Sequence, residues 1–455
     1  MRRAARCFTV LIAALPLFGG RQGLEGQERP REVPVSLPHA EEIARSESSV
    51  VAAAEARSEA WEERVRGSTA FRWPGLEASV GFARTDDPVG VFGTKLRQGR
   101  FGESDFSIES LNDPEAVSDW SAAVSTAWTV GDPVRWAESR AAEHSGRAAA
   151  ARARHSTGVV VLLVRTAYLQ AASARGQRLA VEAELRAACE TVSLVERREA
   201  EGMATEADRL QARAAMADAE ARRALADAAY ADAVAMLGVQ LGWAADSVPV
   251  PLDGMPDLAD RAADPTGWEA RPDLVAAEHD LDATRAQVEV ASAARLPAAQ
   301  LFASLGTHAP GVTDDRASNW SVGLQVRVPL FTGFGLEARR GGAEAEARAA
   351  EATHVDRLLR AEAEVRTALR GVRAARESRD AALLARDASA EAARLLSLRY
   401  DEGMTTLADL LGAQARAAGL AARLVEAEGR WRIHLARLDF LLGSADTTST
   451  EGNIR

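Results

Sequence analysis

Cysteine is almost missing from this chain: among 455 residues only Cys7 and Cys189 occur. Cys7 falls in a leader expected to be removed, so the mature chain has no intrachain disulfide, and Cys189 is expected as a small buried residue on a helix. Aromatic residues make up only 5% of the sequence. An alanine-rich, ring-poor composition suits long helices packed through small side chains better than a thick globular core. The histidines, at 39, 144, 155, 279, 308, 354 and 434, show no H-x-x-x-H spacing, and there are no paired cysteines and no methionine cluster, so no metal-ligand set and no cofactor are expected. No G-x-S-x-G occurs, and the many carboxylates lie on Arg-rich helical stretches, where solvated i,i+4 ion pairs account for them better than acid–base catalysis does. The net charge of −11 argues against binding nucleic acid through a basic face. An enzyme is therefore not expected.

Long apolar runs are scarce too. The clear case is CFTVLIAALPLF, preceded by Arg2, Arg3 and Arg6 and followed by Gly19 and Gly20. A basic start, a short apolar run and small residues make a secretory signal peptide, placed at 1–23. The run is too short to span a bilayer comfortably, and no cysteine follows it to carry a lipid. No other run of about 20 apolar residues is read further on, so export without a retaining transmembrane helix is expected.

What is present is a motif used twice. Glu-Gly-Met-x-Thr occurs at 201–205, within SLVERREAEGMATEADRLQA, and at 402–406, within SLRYDEGMTTLADLLGAQ. Gly202 and Gly403 suit helix ends, because glycine accepts positive φ without a Cβ clash. Thr405 or Thr406 can then cap the next helix, and Asp409, like Asp208, stands in a first turn where the helix dipole favours a carboxylate. Two helical hairpins about 200 residues apart indicate an internal duplication.

Strand periodicity is also repeated. Leu76, Ala78, Val80 and Phe82 alternate with polar or small residues; so do Trp120, Ala122, Val124, Thr126, Trp128 and Val130. In the second half Leu301, Ala303 and Leu305 begin a third run, and Trp320, Val322, Leu324, Val326, Val328 and Leu330 form a fourth. Strands are thus predicted at about 75–84, 119–131, 298–307 and 319–331. Each is about ten residues, the length a tilted strand needs to cross a bilayer, with one apolar face. Trp120 and Trp320, 200 residues apart, suit the membrane–water interface. Four strands alone leave open edges, which lipid does not tolerate, so a membrane sheet of this size has to close by oligomerising. A soluble hairpin packed on helices is the competing reading.

The remaining organisation follows. Residues 36–70 read as a helix, 84–118 as a long loop, and 336–400 as a helix with a seam of Val355, Leu358, Val365, Leu369 and Val372. The first repeat is placed at 24–242 with its turn at 202, a linker or equatorial segment at 243–269, the second repeat at 270–443 with its turn at 403, and a disordered tail at 444–455. The G-x-G-x-x-A run at 333–338 is set aside as a dinucleotide site, because the strand before it alternates and only helix follows; its glycines are expected to ease a strand-to-helix bend.

The leader, the duplicated order and the motifs RPDL, RVPLFTGF and RYDEGMTTLADLLGAQ together resemble the outer-membrane efflux protein family, the TolC-like channels. The resemblance covers nearly the whole mature chain. It implies a mainly α fold with a membrane β-barrel: a homotrimer with a twelve-stranded barrel in outer-membrane lipid, joined to a periplasmic tunnel of long antiparallel helical hairpins. It implies a passive duct of a tripartite efflux or type I secretion system, with a periplasmic adaptor protein and an inner-membrane transporter as partners. It places adaptor contacts at Gly202, Met203, Thr205, Gly403, Met404 and Thr405, and a gate at Asp208, Tyr400 and Asp409. The position of a second aspartate ring matches Gly412 here, which leaves a single ring; Asp208 and Tyr400 match a latch. The alternative is a trimeric coiled-coil stalk or adhesin, and a soluble helical scaffold is a third reading.

Overall fold

The computed structural model describes residues 31–243, 247–252, 254–260, 262 and 265–443. The expected signal peptide, Cys7 and the 444–455 tail lie outside the described residues. In chain order the elements are β1 (Arg31–Val35), α1 (Leu37–Ser46), α2 (Ser49–Ser68), β2 (Gly75–Thr85), α3 (Pro88–Arg97), α4 (Ile108–Asn112), β3 (Val117–Gly131), α5 (Pro133–Ala200), α6 (Glu206–Leu241), β4 (Ser247–Pro251), α7 (Pro272–Ala293), β5 (Ala298–Ala309), β6 (Ala317–Arg327), α8 (Gly335–Asp401) and α9 (Leu407–Leu441).

The long strands form one antiparallel sheet in the order β2-β3-β5-β6. Its register puts the apolar set on one face: Phe82 opposite Trp120, Val124 opposite Leu305, Trp128 opposite Leu301, Leu301 opposite Leu324 and Leu305 opposite Trp320. Apart from Phe302, the other face carries small and polar groups, including a Ser304–Ser321 hydroxyl pair at 2.8 Å. The fourth strand is shorter than expected. It ends at Arg327, the partner of Ala298, so Val328 lies beyond the ladder. Pro297 and Pro329 flank that last pair, and a proline has no N–H to extend it.

Below the sheet come the long helices. The α5 and α8 helices have 68 and 67 residues, about 100 Å each at 1.5 Å per residue. They are paired with α6 and α9, of 36 and 35 residues. Asp132 starts α5 by accepting from the N–H groups of Val134 and Arg135, with Pro133 in the first turn, where a missing N–H costs nothing. The entry to α8 is tighter: Gly333 and Phe334 have φ of 59° and 65°. These lie in the left-handed region that glycine enters freely and phenylalanine does not, so the glycine-rich run does make the strand-to-helix bend.

Several expectations need correction. The predicted 36–70 helix is two helices, since Ser48 is extended at the start of α2. The predicted 84–118 loop is folded. Asp87 accepts from Gly90 N–H at 2.7 Å to cap α3, and Ser107 caps α4. Phe101 packs against both Phe92 and Phe106, at centroid distances of 4.6 and 5.1 Å. Gln98 then ties the segment to β3 by donating to Ser118 O and Asp119 Oδ1 at 2.8 and 2.9 Å. The predicted 243–269 linker contains β4, which pairs in parallel with β1. Two five-residue strands with prolines in them give too little alternation to be read from sequence.

That small sheet covers the main core, where Val35, Ile43, Val51, Val164, Tyr168, Val234 and Leu237 are buried together and the Tyr168 hydroxyl donates to Val35 O at 3.1 Å. A second core joins Val365, Val372, Leu435 and Leu438. The predicted α8 seam is therefore only half covered: Val355 is exposed, because it lies on the stretch of α8 beyond the reach of α9. Cys189 is exposed rather than buried; it follows Ala188, which is buried, and one residue further is about 100° round the helix. Two helices, α5 and α6, also contain windows long and apolar enough to cross a membrane by length and composition, contrary to the expectation of none. In α5 half of that window is buried in the protein.

Candidate functional site

At the far end from the large sheet, both hairpins turn by the same chemistry. In the first, Met203 N–H donates to Arg198 O at 2.7 Å and Gly202 N–H to Glu199 O at 3.0 Å. In the second, Met404 N–H donates to Arg399 O at 2.8 Å and Gly403 N–H to Tyr400 O at 3.0 Å. These are paired Schellman closures, which need a left-handed residue; Gly202 and Gly403 supply it, at φ of 73° and 75°.

The cap of the next helix stands two residues after each methionine. Thr205 and Thr406 are the caps of α6 and α9, each in a reciprocal box with the aspartate three residues on. Thr205 donates to Asp208 Oδ2 from its backbone at 2.9 Å and its hydroxyl at 2.7 Å. These bonds hold the Asp208 carboxyl below its usual range, the backbone one first. Asp409 Oδ2 accepts from the hydroxyls of Thr406 and Thr405 at 2.6 and 3.1 Å and from Thr406 N–H at 3.3 Å, which likewise lowers its pKa. Of the two threonines at the second turn, Thr406 is the cap. Met203, Met404, Gly202, Gly403 and Thr205 stand at the surface of the turns, with both methionines exposed.

The two turns pack on each other. Tyr400, Leu407 and Leu410 are buried with Val192, Val195 and Ala212, so Asp208, Tyr400 and Asp409 come to one end of the molecule. They do not form the expected Asp208–Tyr400 latch within the chain, since the Asp208 carboxylate bonds to Thr205. The residue that does reach across is Arg198. Its guanidinium lies 4.5 Å from the Tyr400 ring centroid and donates to Asp401 O at 2.6 Å. Thr191 and Gln414 add a side-chain hydrogen bond at 3.1 Å between α5 and α9. Sequence reading missed Arg198, because nothing local distinguishes it from the other arginines on these helices.

At the sheet end, Trp120, Val124, Trp128, Trp320, Leu324 and Val326 share the exposed apolar face. Trp128 Nε1 donates to Arg72 O at 3.0 Å, one end wet and one end apolar, as interfacial indoles are. Helix packing also brings His144, His279 and Asp282 together, a grouping that the histidine spacing does not show.

Residues 42–242 and 268–444 match the family described as outer membrane efflux protein. Protein CyaE of Bordetella pertussis is 33% identical over 261 residues, 55% of this chain and 54% of that protein. Outer membrane protein OprJ of Pseudomonas aeruginosa is 30% identical over 230 residues, 49% and 48% of the two chains. The matched part of this chain thus spans about half the length of these relatives. Among solved structures, the outer-membrane channel OprN superposes over 90% of both chains with a TM-score of 0.74 at 23% identity. VceC from Vibrio cholerae does so over 90% of this chain and 96% of its own, with a TM-score of 0.72 at 22% identity. At those identities the likeness is one of fold. With both hairpins and all the strands of the large sheet inside the matched residues, the chain belongs to the outer membrane efflux protein family.

Proposed function

We propose that this protein is one third of a passive export duct through the outer membrane of a diderm bacterium, working with an inner-membrane transporter and a periplasmic adaptor of a tripartite efflux or type I secretion system. The observation that carries this reading is the large sheet. β2 and β6 each have one partner strand among the described residues, and the shared apolar face is exposed. In lipid such edges have to be paired. Three copies joined β6 to β2 make a closed twelve-stranded barrel, within the size range of membrane barrels. The lengths of α5 and α8, and of α6 and α9, each pair matching to within one residue, support an internal duplication and a tunnel wall built from all three chains. The antiparallel hairpins favour a duct over the alternative coiled-coil stalk, which needs a single parallel helix.

The duct does no chemistry. Its barrel is open, and the tip is the gate. Three copies of Asp409, whose carboxyl is held below its usual range by hydrogen bonds from Thr406 and Thr405, make a cation-binding constriction. Arg198 on Tyr400 and Asp401 holds the two hairpins in the closed arrangement, and an adaptor docking on Met203, Thr205, Met404 and Thr405 favours the dilated one. The test is single-channel conductance in planar bilayers. Wild type is expected to give a small cation-selective conductance; Asp409→Ala lowers the selectivity and Arg198→Ala raises the conductance. Unchanged conductance in both variants removes the gate assignment, and the absence of any channel from an extracted trimer removes the duct.

A further inference from the structure

We propose that His144, His279 and Asp282 form a binding site for one divalent transition-metal ion of the zinc, cobalt or nickel class, clipping α5 to α7. This goes beyond the duct reading and does not depend on it. His279 and Asp282 are three residues apart on α7, hence on one face. His144 meets them from α5, 135 residues earlier in the chain. One ligand atom from each residue falls within 4.8 Å of the others, and the His144 and His279 rings have centroids 6.1 Å apart.

Two observations separate this group from an ordinary ion-pair seam. First, the Nδ1 atoms of His144 and of His279 are both buried and have no hydrogen-bond partner. An orphaned buried imidazole nitrogen is costly, and two of them beside one carboxylate need an explanation. Second, the neighbouring seam positions are filled by close arginine–carboxylate pairs: Arg140 with Glu289 at 2.6 Å, and Arg152 with Asp280 at 2.5 Å. Between these two, Asp282 Oδ2 stands 3.7 Å from His144 Nδ1, too far for a hydrogen bond. Its other oxygen is 3.6 Å from Arg285, a cation it shares with Glu351 at 3.3 Å.

Imidazole and carboxylate at these separations suit a tetrahedral ion. With ligand bonds of about 2.0–2.1 Å, donor atoms sit roughly 3.3 Å apart, so the 3.7 Å edge is nearly in place and small side-chain rotations close the rest. Three protein ligands leave the fourth position to water. The site lies about 17 Å from the sheet end of α5, counting 1.5 Å per residue from Pro133. A bound ion there cross-links the helix that leaves β3 to the helix that enters β5.

The experiment uses untagged full-length protein in detergent, stripped with chelator and titrated with Co²⁺. One ion per chain is expected, with visible d–d absorption of tetrahedral intensity and a rise in melting temperature. His279→Gln and Asp282→Asn are expected to weaken Co²⁺ binding about 100-fold or more, since even outer-shell partners of metal ligands are worth 10–100-fold. Asp280→Asn, which touches only the adjacent pair, leaves it unchanged. Absence of the d–d bands in wild type, or their persistence in both ligand variants, overturns the site. X-ray absorption of the Zn²⁺-loaded wild type needs no variant to fold: two imidazoles in the shell support the site, and an all-oxygen shell overturns it.

Discussion

Asp208 and Asp409 are placed by their nearest neighbours, and their chemistry follows. Each carboxylate closes a capping box, and each pKa is depressed by hydrogen bonds from threonine. A depressed carboxylate pKa contributes stability above the ordinary carboxylate range, and that contribution is lost as pH falls through the folded-state value. Thr205→Ala and Thr406→Ala are therefore expected to destabilise their turns by about 1 kcal/mol each, the usual worth of a threonine cap. Hydrogen-exchange mass spectrometry of peptides spanning 196–212 and 399–414 is the measurement. Faster exchange is expected near neutral pH, with the difference from wild type shrinking as the carboxylates protonate; a difference independent of pH would exclude the box as its source. This much was legible in the sequence, because Gly-Met-x-Thr and the following Asp act within one helical turn. The role of Arg198 was not, since its partners Tyr400 and Asp401 lie about 200 residues away.

Among the elements, the large sheet is where a single methyl group matters most. Gly323 on β6 faces Phe302 on β5 across the ladder, and a Cβ at Gly323 would meet the Phe302 ring at 2.4 Å. The ring covers the bare backbone, so a larger residue at 323 forces the ring to move. Gly323→Val is expected to cost about 1–3 kcal/mol, the usual penalty of overpacking, read as a lower unfolding temperature of the detergent-solubilised protein. Phe302→Ala in the Gly323→Val background should recover part of the loss, and no recovery would rule out this contact as the cause. Periodicity made the strands legible within a few residues. It overran at Val328, because alternation continues past the point where Pro329 stops the ladder, and it missed the folding of 84–118, whose helices are short and held by Gln98 and the Phe92–Phe101–Phe106 stack rather than by pattern.

For the whole molecule, the decisive contacts join distant parts of the chain. Arg165 on α5 binds Glu41 on α1 through Nε and Nη2, and Asp439 on α9 through Nη1 at 2.6 Å. Burial alone would lower its pKa, but the two carboxylates outweigh that and raise it. The raised cation pKa means that the guanidinium itself stays charged through neutral and mildly alkaline pH, so on the alkaline side the contribution fades only as it deprotonates. Arg165→Ala removes from Glu41 and Asp439 the cation they share in a mostly buried site, while Arg45 stays 3.4 Å from Glu41. It is expected to cost about 2–4 kcal/mol, near the lower end for a broken buried pair because the group is not fully enclosed. Thermal unfolding at neutral pH measures it, and Arg165→Lys should restore only part, since an ammonium does not match two carboxylates in a planar fork.

Local chemistry sufficed for whatever acts within a turn or a strand: the two glycine turns, their threonine caps, the apolar and polar strand faces, and the family motifs, each a short run of consecutive residues. Those interactions span a few residues, so they are written in consecutive letters. Tertiary structure alone decided what depends on packing between long helices: the β1–β4 pair over the core, Arg198 across the tip, Arg165 between α1 and α9, and the meeting of His144 with His279 and Asp282. On helices about 100 Å long, a shift of one turn in how two of them pair changes every such partner, and no spacing in the sequence records that alignment.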